Sequence, residues 1–307
     1  MREIPTPTYQ YEIDRLVAAY KRAVVEIQRE LERLDLTDLS RANAQAALVE
    51  VARILASLNE EAAAWVEENI PQAARDGVVR ALVSLGVVET VEEARSIARF
   101  NRLNKAMVDA AISDMQTDVL AVTQNINKRV RDAVRKATAD AMRANLSRGI
   151  NGRRTIGRDI TTGIRKQLGD AADGAIRDAA GRVWKVNTYV DMLARTKLAE
   201  TYREATTNEA VSRGALYAVI SRHGAIDSCK YHEGRIIRLT GEGDPRYPTY
   251  DQIKASGQCF HPSCRHSFSP LRDPNKLPES VRERADRQAE LGDKALATGK
   301  RNPKDVE

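Results

Sequence analysis

Apolar residues in the first two thirds of the chain recur at steps of three and four, which is the spacing of one face of an α-helix. Ile13, Leu16, Val17, Tyr20, Val24, Val25, Ile27 and Leu31 predict a helix over residues 9–34. Ala47, Leu48, Val51, Ile54, Leu55 and Leu58 predict a second, capped by Thr37 or Ser40, with Glu60, Glu61, Glu67 and Glu68 on its wet side. Proline lacks an N–H and crowds the preceding turn, so Pro71 is expected to end that helix near residue 69 and leave a separate segment over 72–85. Thr90-Val-Glu-Glu93 reads as the capping box of the next helix. The longest pattern runs over 102–146 through Met107, Ile112, Met115, Val119, Val122, Ile126, Val130 and Val134, with no proline or glycine. A single helix there spans about 65 Å at 1.5 Å per residue, and no small domain covers such a strut by itself. Further helices are expected over 155–168 and 186–212, the last stopping at Gly214.

The period changes after Gly214. Residues 216–220, Leu-Tyr-Ala-Val-Ile, form a β-rich run, and 235–239 can pair with it as a hairpin. A helical turn is expected over 250–255, and a helix over 280–297 followed by a disordered end. The pattern therefore implies a mainly α fold, with a long-helix N-terminal region and a small C-terminal α+β domain stapled by zinc. The expected division is an N-terminal helical bundle (1–100), a long helical arm with a basic belt (101–214), a Cys/His domain (215–272) and a charged tail (273–307).

Composition supports long solvated helices: 30% of residues are charged and only 5% aromatic. The N-terminus lacks the apolar core of a signal peptide, and no run reaches the roughly 18 apolar residues of a membrane span. A reducing cytoplasm is expected, where the three cysteines would be free or metal-bound. The net charge of +6 is concentrated. Lys128, Arg129, Arg131, Arg135, Lys136, Arg143, Arg148, Arg153, Arg154, Arg158, Arg165 and Lys166 face only three acids in the same stretch, Asp132, Asp140 and Asp159. Such a belt can meet DNA phosphates by releasing counterions. A solvated helix face would carry the same pattern, and no aromatic is interleaved to stack on bases. The glycines of NGRRTIGRDITTG follow no strand and lack a Lys-Ser/Thr ending, so they predict a turn rather than a phosphate cradle.

Candidate chemistry is confined to residues 221–270, which hold Cys229, Cys259, Cys264, His223, His232, His261 and His266. Cys229-Lys-Tyr-His232 and His261-Pro-Ser-Cys264 each set two ligand types three positions apart, as a metal-binding turn requires. The expected ligands are Cys229, His232, His261 and Cys264, with Cys259, His266 and His223 as alternates. A unit of about fifty residues with few large apolar side chains is short of core, and a bound zinc ion adds on the order of 10 kcal/mol of folding free energy in small metal domains. With so many donors and no acid clearly placed as a base, a closed structural site is expected over a catalytic one. The alternatives are side chains that pack without metal, or a zinc-supported nuclease in which His261 or His266 activates water and Arg265 holds a phosphate; Asp227 and Glu233 are the nearby acids.

Three stretches carry a resemblance: Ser221-Arg-His-Gly-Ala225; Asp227-Ser-Cys229-Lys-Tyr-His232-Glu-Gly234; and His261-Pro-Ser-Cys264-Arg-His-Ser-Phe-Ser-Pro270. Together with the preceding helix from Met192, this resembles the C-terminal signature of tailed-phage minor capsid, or head morphogenesis, proteins. It departs from the commonest form in having His232 and His266 where that form has cysteines. The resemblance implies a virion component without enzymatic activity, made in the host cytoplasm and placed in the capsid interior or portal region. The implied partners are a portal or major capsid protein in a symmetric multicopy assembly, and packaged DNA.

Overall fold

The computed structural model describes residues 4–34, 41–146, 158–173, 176–177 and 181–306. Among them are eight helices: α1 (Gln10–Glu32), α2 (Arg41–Ser84), α3 (Val91–Ile97), α4 (Arg102–Leu146), α5 (Arg158–Asp173), α6 (Val186–Ser212), α7 (Tyr250–Ser256) and α8 (Glu279–Ala297). Five short strands join them: β1 (Ile176–Arg177), β2 (Val183–Trp184), β3 (Tyr217–Ile220), β4 (Ile236–Arg238) and β5 (Phe268–Leu271). The fold is mainly α with a small C-terminal sheet, and α4 has the bounds its periodicity predicts. The candidate caps Thr37 and Ser40 lie outside the described residues.

Pro71 does not end α2, which continues through it to Ser84. A mid-helix proline costs roughly 3 kcal/mol. Here the residues on both sides of it are buried, including Trp65, Val66, Ile70, Ala73, Ala74 and Val78, and their packing overrides the local penalty. The pair β1–β2, in antiparallel register Ile176↔Trp184, was not signalled by periodicity because each strand is two residues long. The capping box at α3 forms as expected, with Thr90 accepting from the Glu93 N–H and Glu93 accepting in return.

The chain divides into two compact units, one of residues 10–67 and 113–192, the other of the N-terminal residues with 68–112 and 193–307. In the first unit, Ile13, Leu16, Ile27 and Leu31 of α1 are buried, as are Val51, Leu55 and Leu58 of α2 and Met115, Val119, Val122 and Ile126 of α4. Polar side chains tie the helices where they touch. Tyr20 donates to the Val119 carbonyl (3.0 Å) and Trp65 to the Glu12 carbonyl (2.7 Å), while Thr123 donates to Asn59 Oδ1 (2.6 Å). α5 lies against α1.

The second unit carries the sheet, ordered β4-β3-β5 and antiparallel throughout. Pro270 sits in β5, an edge strand, where a missing N–H is tolerated. Tyr250, Phe260 and Phe268 pack as an aromatic trio, with ring centroids 4.9 to 6.1 Å apart. α2 and α6 approach so closely at Gly77 that a Cβ there would lie 2.3 Å from the Tyr202 carbonyl oxygen. The stretch after α8, expected to be disordered, is docked instead. Tyr231 donates to the Pro303 carbonyl (2.8 Å), and Val306 is buried beside Tyr231 and Ala295. Its charges and prolines suggested a solvated tail, but its carbonyls serve as partners for buried donors.

Candidate metal centre

Two connections build the site. The first, between β3 and β4, turns through a short 3₁₀ segment (Ser228–Tyr231) whose N-cap Asp227 accepts from the Cys229 N–H at 3.1 Å. The second, between α7 and β5, leaves α7 at Gly257 in the left-handed region (φ 70°) and carries Cys259, His261, Cys264 and His266. Phe260 (φ 58°) and Ser263 (φ 63°) are also left-handed, an uncommon conformation for residues with a Cβ that surrounding contacts must hold. Cys264 N–H donates to the His261 carbonyl (2.9 Å), and Ser263 N–H donates to Thr196 Oγ1 of α6 (3.1 Å). Ser228 joins the two connections by donating to the Gln258 carbonyl at 2.7 Å. Arg203 of α6, fully buried over the Phe260 ring, donates to the His266 carbonyl at 3.0 Å.

The result is a buried group of four donors, Cys229, Cys259, Cys264 and His266, whose ligand atoms all lie within 4.8 Å of one another. Cys229 Sγ is 3.7 Å from Cys264 Sγ, and Cys264 Sγ is 3.4 Å from His266 Nδ1. Metal–sulfur and metal–nitrogen bonds of zinc length give tetrahedral edges of about 3.8 Å between two sulfurs and about 3.5 Å between sulfur and nitrogen. The donor set fits a tetrahedral ion of that size.

His266 is oriented by its other nitrogen. Nε2 faces Glu233 Oε1 at 3.1 Å. Glu233 also accepts the backbone N–H groups of His223 (2.9 Å) and Ala225 (3.0 Å). Burial would raise the Glu233 carboxyl, but these donors and His266 outweigh it and hold it below its ordinary value. His266 is held above its ordinary value because Cys264 and Glu233 outweigh its burial. A histidine with Nδ1 on a metal and Nε2–H on a carboxylate is a recurrent arrangement in metalloproteins. The thiols are poised unevenly. Hydrogen bonds from Cys229 and Cys259 hold Cys264 far below the usual thiol range, whereas burial pushes Cys259 well up. Such a pocket readily ionises one thiol and resists ionising the others, and a bound cation removes that resistance.

Of the four expected ligands, Cys229 and Cys264 meet in this group, and the alternates Cys259 and His266 complete it. His232 is turned away: its Nε2 faces Gln258 Oε1 at 2.8 Å and its ring is fully buried. The Gln258 amide nitrogen donates to the Ala295 and Lys300 carbonyls, so Oε1 is the acceptor and His232 carries its proton on Nε2. Burial lowers His232 to about 4. His261 reaches Cys229 alone among the three sulfurs within bonding range, at 3.3 Å, and also faces Asp227. His223 is exposed and lies against the His266 ring, centroids 4.0 Å apart. Sequence spacing favoured pairs three apart. The Cys264-x-His266 pair was harder to see because it depends on the chain being extended after the Ser263 turn, so that alternate residues reach the same pocket.

In the first unit, Arg129, Arg131, Arg135, Lys136 and Arg143 lie on α4, and Arg165 and Lys166 on α5. A shallow groove of about 510 Å³ between these helices gathers Arg129, Lys136 and Lys166, with Asp132 and Asp170 also on its walls. Arg143 pairs with Asp140 (3.0 Å), and Arg165 donates to the Glu32 carbonyl (2.7 Å). Arg148, Arg153 and Arg154 lie outside the described residues, as does the side chain of Arg158. No helix among the described residues is long and apolar enough to cross a membrane.

A family model described as phage minor capsid protein 2 matches residues 17–297, which is most of the chain. Comparison with curated proteins and with solved structures gave no significant match.

Proposed function

We propose that this chain, a member of the phage minor capsid protein 2 family and so a structural component of the virion, acts near the portal in head assembly or DNA delivery, its second unit closed by a zinc ion. The proposed ligands are Cys229, Cys259, Cys264 and His266. The observation that carries this reading is the burial of all four donors around one point, with Glu233 behind His266. Four protein donors fill a tetrahedral ion, the pattern of ions that hold a fold together rather than activate water. Zinc suits three thiolates and an imidazole better than magnesium or calcium, which prefer oxygen.

The basic groove of α4 and α5 supports contact with packaged DNA through phosphates, with no base recognition implied. Family membership, together with the resemblance at residues 192–270, supports a portal or major capsid protein as the partner.

Two experiments test the reading. Elemental analysis of the purified full chain should find zinc, reduced in Cys259→Ser and His266→Ala; unchanged metal in both variants would overturn the ligand set. Phage with a premature stop in this gene should give defective heads or full heads that do not infect. A normal yield of infectious particles would refute the assembly and delivery role.

A further inference from the structure

His261 has both ring nitrogens facing acceptors. Nδ1 lies 3.0 Å from the Pro262 carbonyl oxygen, which can only accept, so Nδ1 carries a proton. Nε2 lies 3.2 Å from Asp227 Oδ2 and 3.3 Å from Cys229 Sγ. A neutral imidazole has one N–H, already used, so its Nε2 lone pair points at a carboxylate oxygen and a sulfur. Once Cys229 is a thiolate on the buried ion all three atoms are acceptors, and their juxtaposition is repulsive unless a positive charge lies among them.

We infer a second site here for a borderline-soft divalent cation of the zinc class, held by Asp227 Oδ2, His261 Nε2 and Cys229 Sγ, with Cys229 bridging to the buried ion. The inference rests on the four-donor reading above. The three ligand atoms lie within 4.8 Å of one another. The carboxylate is fixed in place: Oδ1 accepts the Cys229 N–H at 3.1 Å, which leaves Oδ2 for the cation. His261 is fixed by its bond to the adjacent carbonyl and by the left-handed residues Phe260 and Ser263 on either side of its turn.

Charge argues in the same direction. Three thiolates around one divalent ion leave one negative charge in excess in the buried pocket, and the carboxylate of Asp227 at its exposed rim adds another. A second ion at the rim cancels the remainder, which a low-dielectric pocket would otherwise leave uncompensated. The rim site is open where the first is closed: the Asp227 side chain is 46% exposed, and three protein ligands leave a position for solvent or a partner's donor.

The test is metal stoichiometry of the full chain, titrated with Co²⁺ or Zn²⁺ and read by absorption and elemental analysis. Wild type should bind two equivalents. His261→Gln and Asp227→Asn, the latter keeping the Oδ1 acceptor, should each bind one and keep the cobalt–thiolate absorption of the buried site. One equivalent in wild type, unchanged in both variants, would overturn the second site and leave the first intact. One equivalent in wild type, lost in His261→Gln but retained in His266→Ala, would overturn both the second site and the four-donor set. No bound metal in wild type would refute both readings.

Discussion

Glu233 Oε1 lies 3.1 Å from His266 Nε2, on the side of the ring opposite the 3.4 Å approach of Nδ1 to Cys264 Sγ. One carboxylate thus sets the tautomer and direction of the one imidazole among the four buried donors. Partners of this kind alter metal affinity tenfold to a hundredfold. Glu233→Gln should weaken zinc binding by about that factor in a chelator competition, while zinc-loaded protein keeps the wild-type far-ultraviolet dichroism. Unchanged affinity would mean that His266 is not a ligand.

Removing the metal should cost more than any single packing change. A structural zinc ion contributes on the order of 10 kcal/mol in small metal domains, comparable with the whole stability of an ordinary domain. Chelation, or Cys264→Ser, should therefore expose the second unit to proteolysis between β3 and β5. Helices α1 and α5 should stay protected, and equal digestion of both units would count against a site that serves one of them.

His232 offers a pH test. Its folded value of about 4 lies below the unfolded value near 6.5, so the unfolded chain binds a proton more readily than the folded one. The stability tied to neutral His232 is fully present above about pH 6.5 and lost as pH falls toward 4, amounting to at most about 3 kcal/mol. His232→Gln should flatten the fall in melting temperature across that window. Parallel curves for variant and wild type would exclude the effect.

Gly77→Ala separates tertiary packing from helix propensity. Alanine favours an isolated helix by roughly 0.5–1 kcal/mol. Here the added methyl would meet the Tyr202 carbonyl at 2.3 Å, so overpacking should win and destabilise the protein by about 1–3 kcal/mol in denaturant unfolding. A gain in stability would mean that α2 and α6 can part without loss.

If the α4–α5 groove meets DNA, affinity should fall as salt rises, and Lys136→Ala or Lys166→Ala should each reduce the log–log slope by about 1 without changing sequence preference. A slope near zero for wild type would remove DNA from the list of partners.

Periodicity determined α1, α4 and α6 almost to the residue, because a long amphipathic face repeats its signal over many turns. Residue type and clustering located the Cys/His group, since they need no coordinates. Local rules gave way where distant packing outweighed them. Pro71 is carried inside α2 by the buried residues on both sides of it, and the stretch after α8 is held by Tyr231. Which donors converge was a tertiary matter for the same reason. His232 and His266 are alike as residues, and the backbone turns at Phe260 and Ser263, with Gln258 and Glu233 as competing partners, send one ring away from the sulfurs and the other among them.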